Sequence, residues 1–172
     1  SSIDYDSQRD KTIYNNMCVQ IFDQFIRTDS RISNHSARVS LQKVEKAIFF
    51  KDKEGNFCLP KRKLCLKVKG RHQTKNPMTL SKVRFLPGEG CVGLAYQTGE
   101  IVEKNITPYI EKKEKAYIRE CEDSFNLPGH KTRKLGTKSC SFLCLPIKYY
   151  NSEEVFAVLT IDSTENTSLQ RV

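Results

Sequence analysis

Three kinds of residue could carry chemistry in this 172-residue chain: a glycine-spaced loop, seven cysteines and two runs of basic side chains. The loop lies in FLPGEGCVGLAYQTGE (85–100), where Gly88-x-Gly90-x-x-Gly93 has the spacing that cradles a pyrophosphate. That chemistry needs a strand before the loop, a full helix after it, bare backbone facing the phosphates, and an acid about twenty residues on for the ribose. KVRFLP has the pattern of the strand, but Glu89 puts a carboxylate where phosphate would sit. Thr98-Gly99 stops the following helix after roughly two turns, and Thr107-Pro108 opens another helix where the acid-bearing strand should be. The glycines therefore predict something plainer: a tight turn at Gly88-Glu89-Gly90, a short helix CVGLAYQT, and a C-cap at Gly99 that turns the chain into EIVEKN.

The cysteines stand at 18, 58, 65, 91, 121, 140 and 144. Their odd count, irregular spacing and apolar neighbours do not describe a disulfide framework. With no C-x-x-C pair and three histidines, the ligand spacing of a zinc site is missing too, and no metal or other cofactor is expected. These features place the chain in a reducing, cytoplasmic compartment. Thiol chemistry would require Cys91 or Cys121 to be exposed beside Lys or His with a lowered pKa; the alternative is that the cysteines are small buried hydrophobes, as the apolar strand contexts of Cys65, Cys140 and Cys144 indicate. No nucleophile–base pair is present, so no catalytic residue is assigned.

Net charge is +9 and the pI near 9.2. The excess sits in KRKLCLKVKGRHQTK (61–75) and HKTRKLGTK (130–138). Such stretches attract phosphates, and an anion- or nucleic-acid-binding module is the alternative reading they support. In the first, however, Lys63, Cys65, Lys67 and Lys69 alternate with Leu64, Leu66 and Val68, as on a half-buried strand, and aromatic residues for base stacking are absent. No apolar run approaches the ~18 residues of a membrane span, and SSIDYDSQRD does not read as a signal peptide.

These residues must be positioned by the following elements. Residues 7–28 form an amphipathic helix in which Ile13, Met17, Ile21 and Phe25 recur at i+4, flanked by Tyr14, Cys18, Phe22 and Ile26. So wide an apolar face predicts docking on a sheet together with pairing to a second copy through Ile13, Met17, Ile21 and Phe25. ARVSLQKV (37–44), KAIFF (46–50) and KLCLKVKG (63–70) read as strands, with a turn at 51–56 and a polar loop at 72–80. Thr107-Pro108 caps a helix running to Phe125, with Ile110, Tyr117, Ile118, Cys121 and Phe125 on one side, followed by a long basic loop, 126–139. CSFLCLPIKYY and EEVFAVLTIDS form a hairpin joined by NSEE, apolar at nearly every position and hence covered on both faces. The tail after Ser163 has the start of a C-terminal helix. Three regions follow: an N-terminal helix (1–36), a central domain (37–165) and a helix start or linker (166–172).

In this order of elements, LPGEGCVGLAYQTGEIVEKN resembles the segment of GAF domains in which a Gly-x-Gly turn leads into a short helix and a Thr-Gly-Glu turn. SFLCLPIKYYNSEEVFAVLTIDSTE resembles the GAF core hairpin, with LPI in one strand and L-x-x-D-S ending the next, and ARVSL resembles its first strand. The resemblance, spanning Arg38 to Glu165, implies an α+β fold related to PAS domains: a central antiparallel sheet of five or six strands with helices on both faces. It further implies a non-catalytic sensory or regulatory module of a larger signalling protein, dimeric through flanking helices and joined to an output domain outside this chain.

Subfamily signatures are not matched. The Asn-Lys…Phe…Asp-Glu pattern of cyclic-nucleotide GAF domains cannot be placed, and no cysteine is followed by histidine as in phytochromes (Cys121 precedes Glu122, Cys140 precedes Ser141). Free methionine sulfoxide reductases of this fold carry cysteines near GKGVCG and PGHIACD; here GEGCVG shifts Cys91 by one, and PGHKTRK has Arg133 and Lys134 in place of the second cysteine and the Asp. That chemistry stays as the enzymatic alternative. A ligand pocket is expected between the sheet and residues 108–139, with Tyr109, Tyr117 and Cys121 from the helix, His130 from the loop and Ser141 from the strand edge. Lys131, Arg133 and Lys134 would close over an anionic ligand. The alternative is that Tyr117 and Cys121 simply pack on the sheet beneath a solvated loop.

Overall fold

A computed structural model describes residues 2–28, 35–51, 56–74 and 82–166. Helix α1 (Ser2–Ile21) runs into a π-turn (Phe22–Ile26). There follow β1 (Ala37–Lys51), β2 (Phe57–Gln73), β3 (Arg84–Phe85), α2 (Gly90–Thr98) and β4 (Val102–Asn105). Next come α3 (Glu114–Phe125), α4 (Gly129–Lys134), β5 (Ser141–Lys148) and β6 (Val155–Ser163). The strands form one antiparallel sheet in the order β3-β2-β1-β6-β5-β4. The α+β architecture with helices on both faces is the expected one. The residues expected to form the first hairpin tip (52–55), most of the polar loop (75–81) and the C-terminal helix (167–172) lie outside the described residues.

The hairpin is covered on both faces because strand alternation divides two cores. Cys18 of α1 and Phe22 and Ile26 of the π-turn pack with Val39 and Leu41 of β1 and Ala157 and Ile161 of β6. On the opposite face Cys91, Val92 and Ala95 of α2 and Tyr117, Cys121 and Phe125 of α3 pack with Leu66, Cys144 and Val158. Phe22 and Ile26 are at most 1% exposed, and burial of each stabilises the α1 face by roughly 1.5–3 kcal/mol. The wide stripe of α1 is thereby split: Cys18, Phe22 and Ile26 face the sheet, while Ile13, Met17 and Phe25 stay 41–58% exposed and Ile21 is half-buried.

Several boundaries differ from expectation. β1 is one continuous strand, because pairing with β2 from Arg38↔Gln73 to Lys51↔Phe57 bridges the two expected pieces. β2 is longer than 63–70 for the same reason, and KVRFLP contributes only the two residues of β3. The helix expected from Pro108 begins later, with a 3-10 turn at Glu111–Lys113 leading into α3. Thr107 caps nothing: its N–H and hydroxyl both donate to Glu120 Oε1 (3.0 and 3.3 Å). Ile110 is extended (φ −123°, ψ 124°) and exposed, so it is not on the buried side. The basic loop 126–139 contains α4, which Pro128 starts by accepting from the N–H groups of Lys131 and Thr132 (2.8 and 3.0 Å).

The glycine turn is as expected and its reasons are structural. Gly88 and Gly90 have φ of +81° and +66°, which side chains disfavour. A Cβ on Gly93 would lie 2.3 Å from the Leu86 carbonyl oxygen. The buried Glu89 carboxylate accepts from the Leu86 N–H (2.9 Å) and pairs with Lys131, so the loop already holds an anion of its own.

Docking of α1 depends on a second close approach. A Cβ on Gly70 of β2 would meet the Tyr14 backbone carbon and oxygen at 2.5 Å, and the neighbouring Arg71 N–H donates to Asn15 Oδ1 (3.0 Å). Gly70→Ala is expected to push α1 off the sheet and lower stability by about 1–3 kcal/mol, measurable as a reduced midpoint in urea unfolding.

Candidate functional site

The alternation that sends Val39 and Leu41 to the α1 face sends Arg38, Ser40 and Gln42 into the opposite core, where Thr160 and Asp162 of β6 and Arg71 of β2 join them. Register sets the neighbours: Arg38 lies opposite Asp162, and Ser40 lies opposite both Thr160 and Arg71. Six polar residues thus make the floor of a cavity of about 80 Å³. Apolar residues close the rest: Phe85 of β3 and Phe142 of β5 from the sheet, and Val92, Phe125, Leu127 and Leu135, together with Cys91, Tyr117 and Cys121, from the layer over it.

Burying polar groups is costly unless they are partnered, and the floor is extensively bonded. Arg38 Nε donates to Asp162 Oδ1 (2.9 Å), and its other arm reaches Oδ2, giving a two-point pair. Ser139 Oγ also donates to Asp162. Arg71 Nε donates to Ser40 Oγ (3.1 Å), and Thr160 Oγ1 donates to Gln42 Oε1 (3.0 Å). The Tyr117 hydroxyl donates to the Ser139 carbonyl (2.6 Å), tying α3 to the segment before β5. Burial, reinforced by the positive Arg38, pulls the Arg71 pKa down to about 10, against the opposing pull of Asp162. The same burial pushes the Tyr117 hydroxyl far up.

The thiols are quenched in the same way. Burial raises Cys121 to about 11, and burial together with the adjacent Cys144 raises Cys91 well above its ordinary value. Cys18 is raised to about 11, and Cys65 and Cys140 also shift upward, with burial the largest cause each time. All six cysteines with described side chains are free and buried. Among the described residues no His/Cys/Asp/Glu cluster could hold a metal ion, and no helix is long and apolar enough to cross a membrane.

Of the residues expected to form the site, the cavity brings together Tyr117 and Cys121. Tyr109 packs behind them, edge-on to the Tyr117 ring at 5.4 Å. His130 and Lys134 instead border a surface depression with Phe49 and Arg84, and Arg133 is exposed, because α4 turns these side chains outward. Lys131 is engaged with Glu89, and Ser141 Oγ donates to the Glu165 carbonyl (3.0 Å). Sequence reasoning missed Arg38, Ser40, Gln42, Arg71, Thr160 and Asp162. The signal was there: Thr160 and Asp162 interrupt a strand read as covered on both faces, which leaves their side chains no solvent to face.

Neither a family profile nor a curated protein sequence matches the chain. Solved structures do. The GAF domain of an Acinetobacter phosphoenolpyruvate-protein phosphotransferase matches at TM-score 0.51 and 18% identity, over 99% of this chain and 83% of that one. The chain has a GAF-like fold. Type II free methionine-R-sulfoxide reductase from Thermoplasma acidophilum matches at TM-score 0.51 and 14% identity (95% and 81% coverage). NreA of Staphylococcus aureus, in a form mutated in its nitrate-binding site, matches at TM-score 0.52 and 13% identity (95% and 93%). A GAF domain and a free methionine-R-sulfoxide reductase thus share the fold seen here.

Asp162 is the one carboxylate among the cavity residues and is 2% exposed. Asp162→Ala removes both carboxylate oxygens that pair with the part-buried Arg38. It is expected to destabilise the protein by about 3–5 kcal/mol, read from urea unfolding of both proteins at neutral pH.

Proposed function

We propose that the chain is a non-catalytic sensory module that binds a small anion in the cavity between the sheet and α3. The observation that carries this reading is the polar floor itself: Arg38, Ser40, Gln42, Arg71, Thr160 and Asp162 gathered beneath an apolar roof. Packing alone would be served better by apolar side chains. A floor that presents guanidinium and hydroxyl groups to enclosed space suits a ligand that replaces their water. Mutated NreA, which shares the fold, is described by its nitrate-binding site, in keeping with a small anion here.

The enzymatic alternative, reduction of free methionine sulfoxide, asks for an accessible thiolate. The raised Cys91 and Cys121, both buried, and the placement of Arg133 and Lys134 where that chemistry uses a cysteine and an Asp favour the sensory reading. Free buried cysteines suit a reducing cytoplasm. The ligand signal would pass to a covalently joined output domain.

The cavity, not a basic lid, is the proposed site. A thermal-shift screen of small anionic metabolites is expected to give a hit that survives Arg133→Ala with Lys134→Ala and is lost with Thr137→Trp, which adds an indole at a residue lining the cavity. A broad screen and native mass spectrometry without a bound small molecule would overturn the reading.

The same module is proposed to dimerise through α1. Ile13, Met17 and Phe25 remain exposed after the helix has docked, with Ile21 at the border of the buried face. Ile13→Glu with Met17→Glu is expected to convert a dimer into a folded monomer in sedimentation velocity, with unchanged circular dichroism. A monomeric wild type would refute it.

A further inference from the structure

We infer that the ribbon formed by the outer halves of β1 and β2 docks on an anionic bilayer surface. Ile48, Phe57, Leu59 and Leu64 enter the headgroup layer, and Lys46 and Arg62 meet its negative charges. This surface is separate from the cavity and does not depend on what the cavity binds.

The ladder between β1 and β6 ends at Lys43↔Ala157, and the β3 ladder covers only Leu66 and Lys67 of β2. Beyond these points, among the described residues, β1 and β2 pair with each other, through Lys46↔Leu64 and Ile48↔Arg62 to Lys51↔Phe57. At about 3.4 Å per residue, residues 44–51 carry this ribbon roughly 25 Å past the β6 ladder. Partners directly opposite in an antiparallel pair share a face. Lys46, Ile48, Arg62 and Leu64 therefore lie on one face, where each cation stands opposite an apolar side chain. All four are exposed, Ile48 at 49% and Leu64 at 41%. Farther out, Phe57 and Leu59 are 85% and 81% exposed. Large apolar side chains gathered in the open mark an interaction surface.

The chemistry of the ribbon selects the occupant. Residues 44–51 and 57–65 contain one acid, Glu45, which Lys67, Lys69 and Arg84 hold at the base. They contain no Ser, Thr, Asn or Gln. Nucleic acid is held and read largely through such neutral polar groups beside the cations, and Ile48, Leu59 and Leu64 have no ring to stack on a base. A bilayer interface asks for the reverse. Apolar side chains enter it, while Lys and Arg lay their stems along apolar surface and hold their charged heads among anionic headgroups. The alternation of cation and hydrophobe across the ribbon meets both demands. The net charge of +9 adds long-range attraction to such a surface. The proposed surface consists of these strand residues alone.

The test is co-sedimentation of the full chain with vesicles of phosphatidylcholine containing phosphatidylserine, against vesicles of phosphatidylcholine alone, at low and high salt. Binding to the anionic vesicles is expected, weakening as salt rises, with little binding to the neutral ones. Lys46→Glu with Arg62→Glu is expected to weaken it by about tenfold or more, and Phe57→Ser with Leu59→Ser by a similar factor. Folding of each is checked by circular dichroism, and Lys46→Gln with Arg62→Gln replaces the charge reversal if that variant does not fold. The chain has no tryptophan, so Phe57→Trp places a single indole in the surface, and its emission is expected to shift to the blue on anionic vesicles. No binding to anionic vesicles overturns the inference, as does equal binding by wild type and folded variants. Bound protein whose indole emission does not shift overturns the placement of the ribbon in the headgroup layer. A mobility shift with duplex or single-stranded DNA that depends on Lys46 and Arg62, without vesicle binding, overturns the bilayer in favour of nucleic acid. None of these outcomes bears on the cavity, so failure here and failure of the sensory reading are distinguishable.

Discussion

Two guanidiniums and one carboxylate under a sheet-covering helix layer form the constraint to which the rest of this molecule answers. Such groups are stable in a core only when geometry supplies their partners. Here strand register supplies them: Arg38 faces Asp162 across the β1–β6 ladder, and Arg71 faces Ser40 across the β1–β2 ladder. A slip of one residue would turn these side chains toward α1 and bring Val39 and Leu41 into their place. The polar row and the apolar row therefore specify the same register from opposite sides of the sheet.

The helices then divide the work. α1 and its π-turn cover one face with Cys18, Phe22 and Ile26 and reach the edge of the sheet, where Asn15 accepts the Arg71 N–H. That contact joins the backbone of a cavity residue to α1, so a change at Arg71 has a direct mechanical neighbour in the helix whose outer stripe is exposed. On the other face, α3 spans the cavity and is fastened at its ends. Glu120 takes the Thr107 N–H before it, Tyr117 reaches Ser139 across it, and Glu122 takes the Gly129 N–H after it (2.8 Å). The space beneath stays small because the side chains of α2 and α3 fill the rest.

The basic character of the chain has no single purpose. Lys67, Lys69 and Arg84 converge on Glu45, and their attraction, led by the Lys69 hydrogen bond, outweighs burial and lowers the Glu45 pKa. Lys131 neutralises Glu89 in the glycine turn. Arg71, in the midst of the first basic run, points inward. A linear charge count mixes these roles, which is why the run itself did not indicate an anion site.

Local patterns determined a good deal. The glycine spacing with Glu89 inside it excluded a phosphate loop and predicted the turn, α2 and its Gly99 cap. The alternation of β5 and β6 predicted a hairpin covered on both faces, and the i+4 stripe predicted α1. These features depend on neighbours in sequence, where propensity and periodicity act. The later start of α3, the presence of α4 in a basic stretch and the continuity of β1 depended on distant partners: Glu120 for Thr107, Tyr117 for Tyr109, β2 for the middle of β1. The site was the least legible part. Arg38, Ser40 and Gln42 have the alternation of any strand with a wet face, and only the packing of α2 and α3 over that face decided that it is enclosed. Which polar residues meet is a matter of register between strands more than a hundred residues apart in the chain, Arg38 with Asp162, and no local preference encodes that distance.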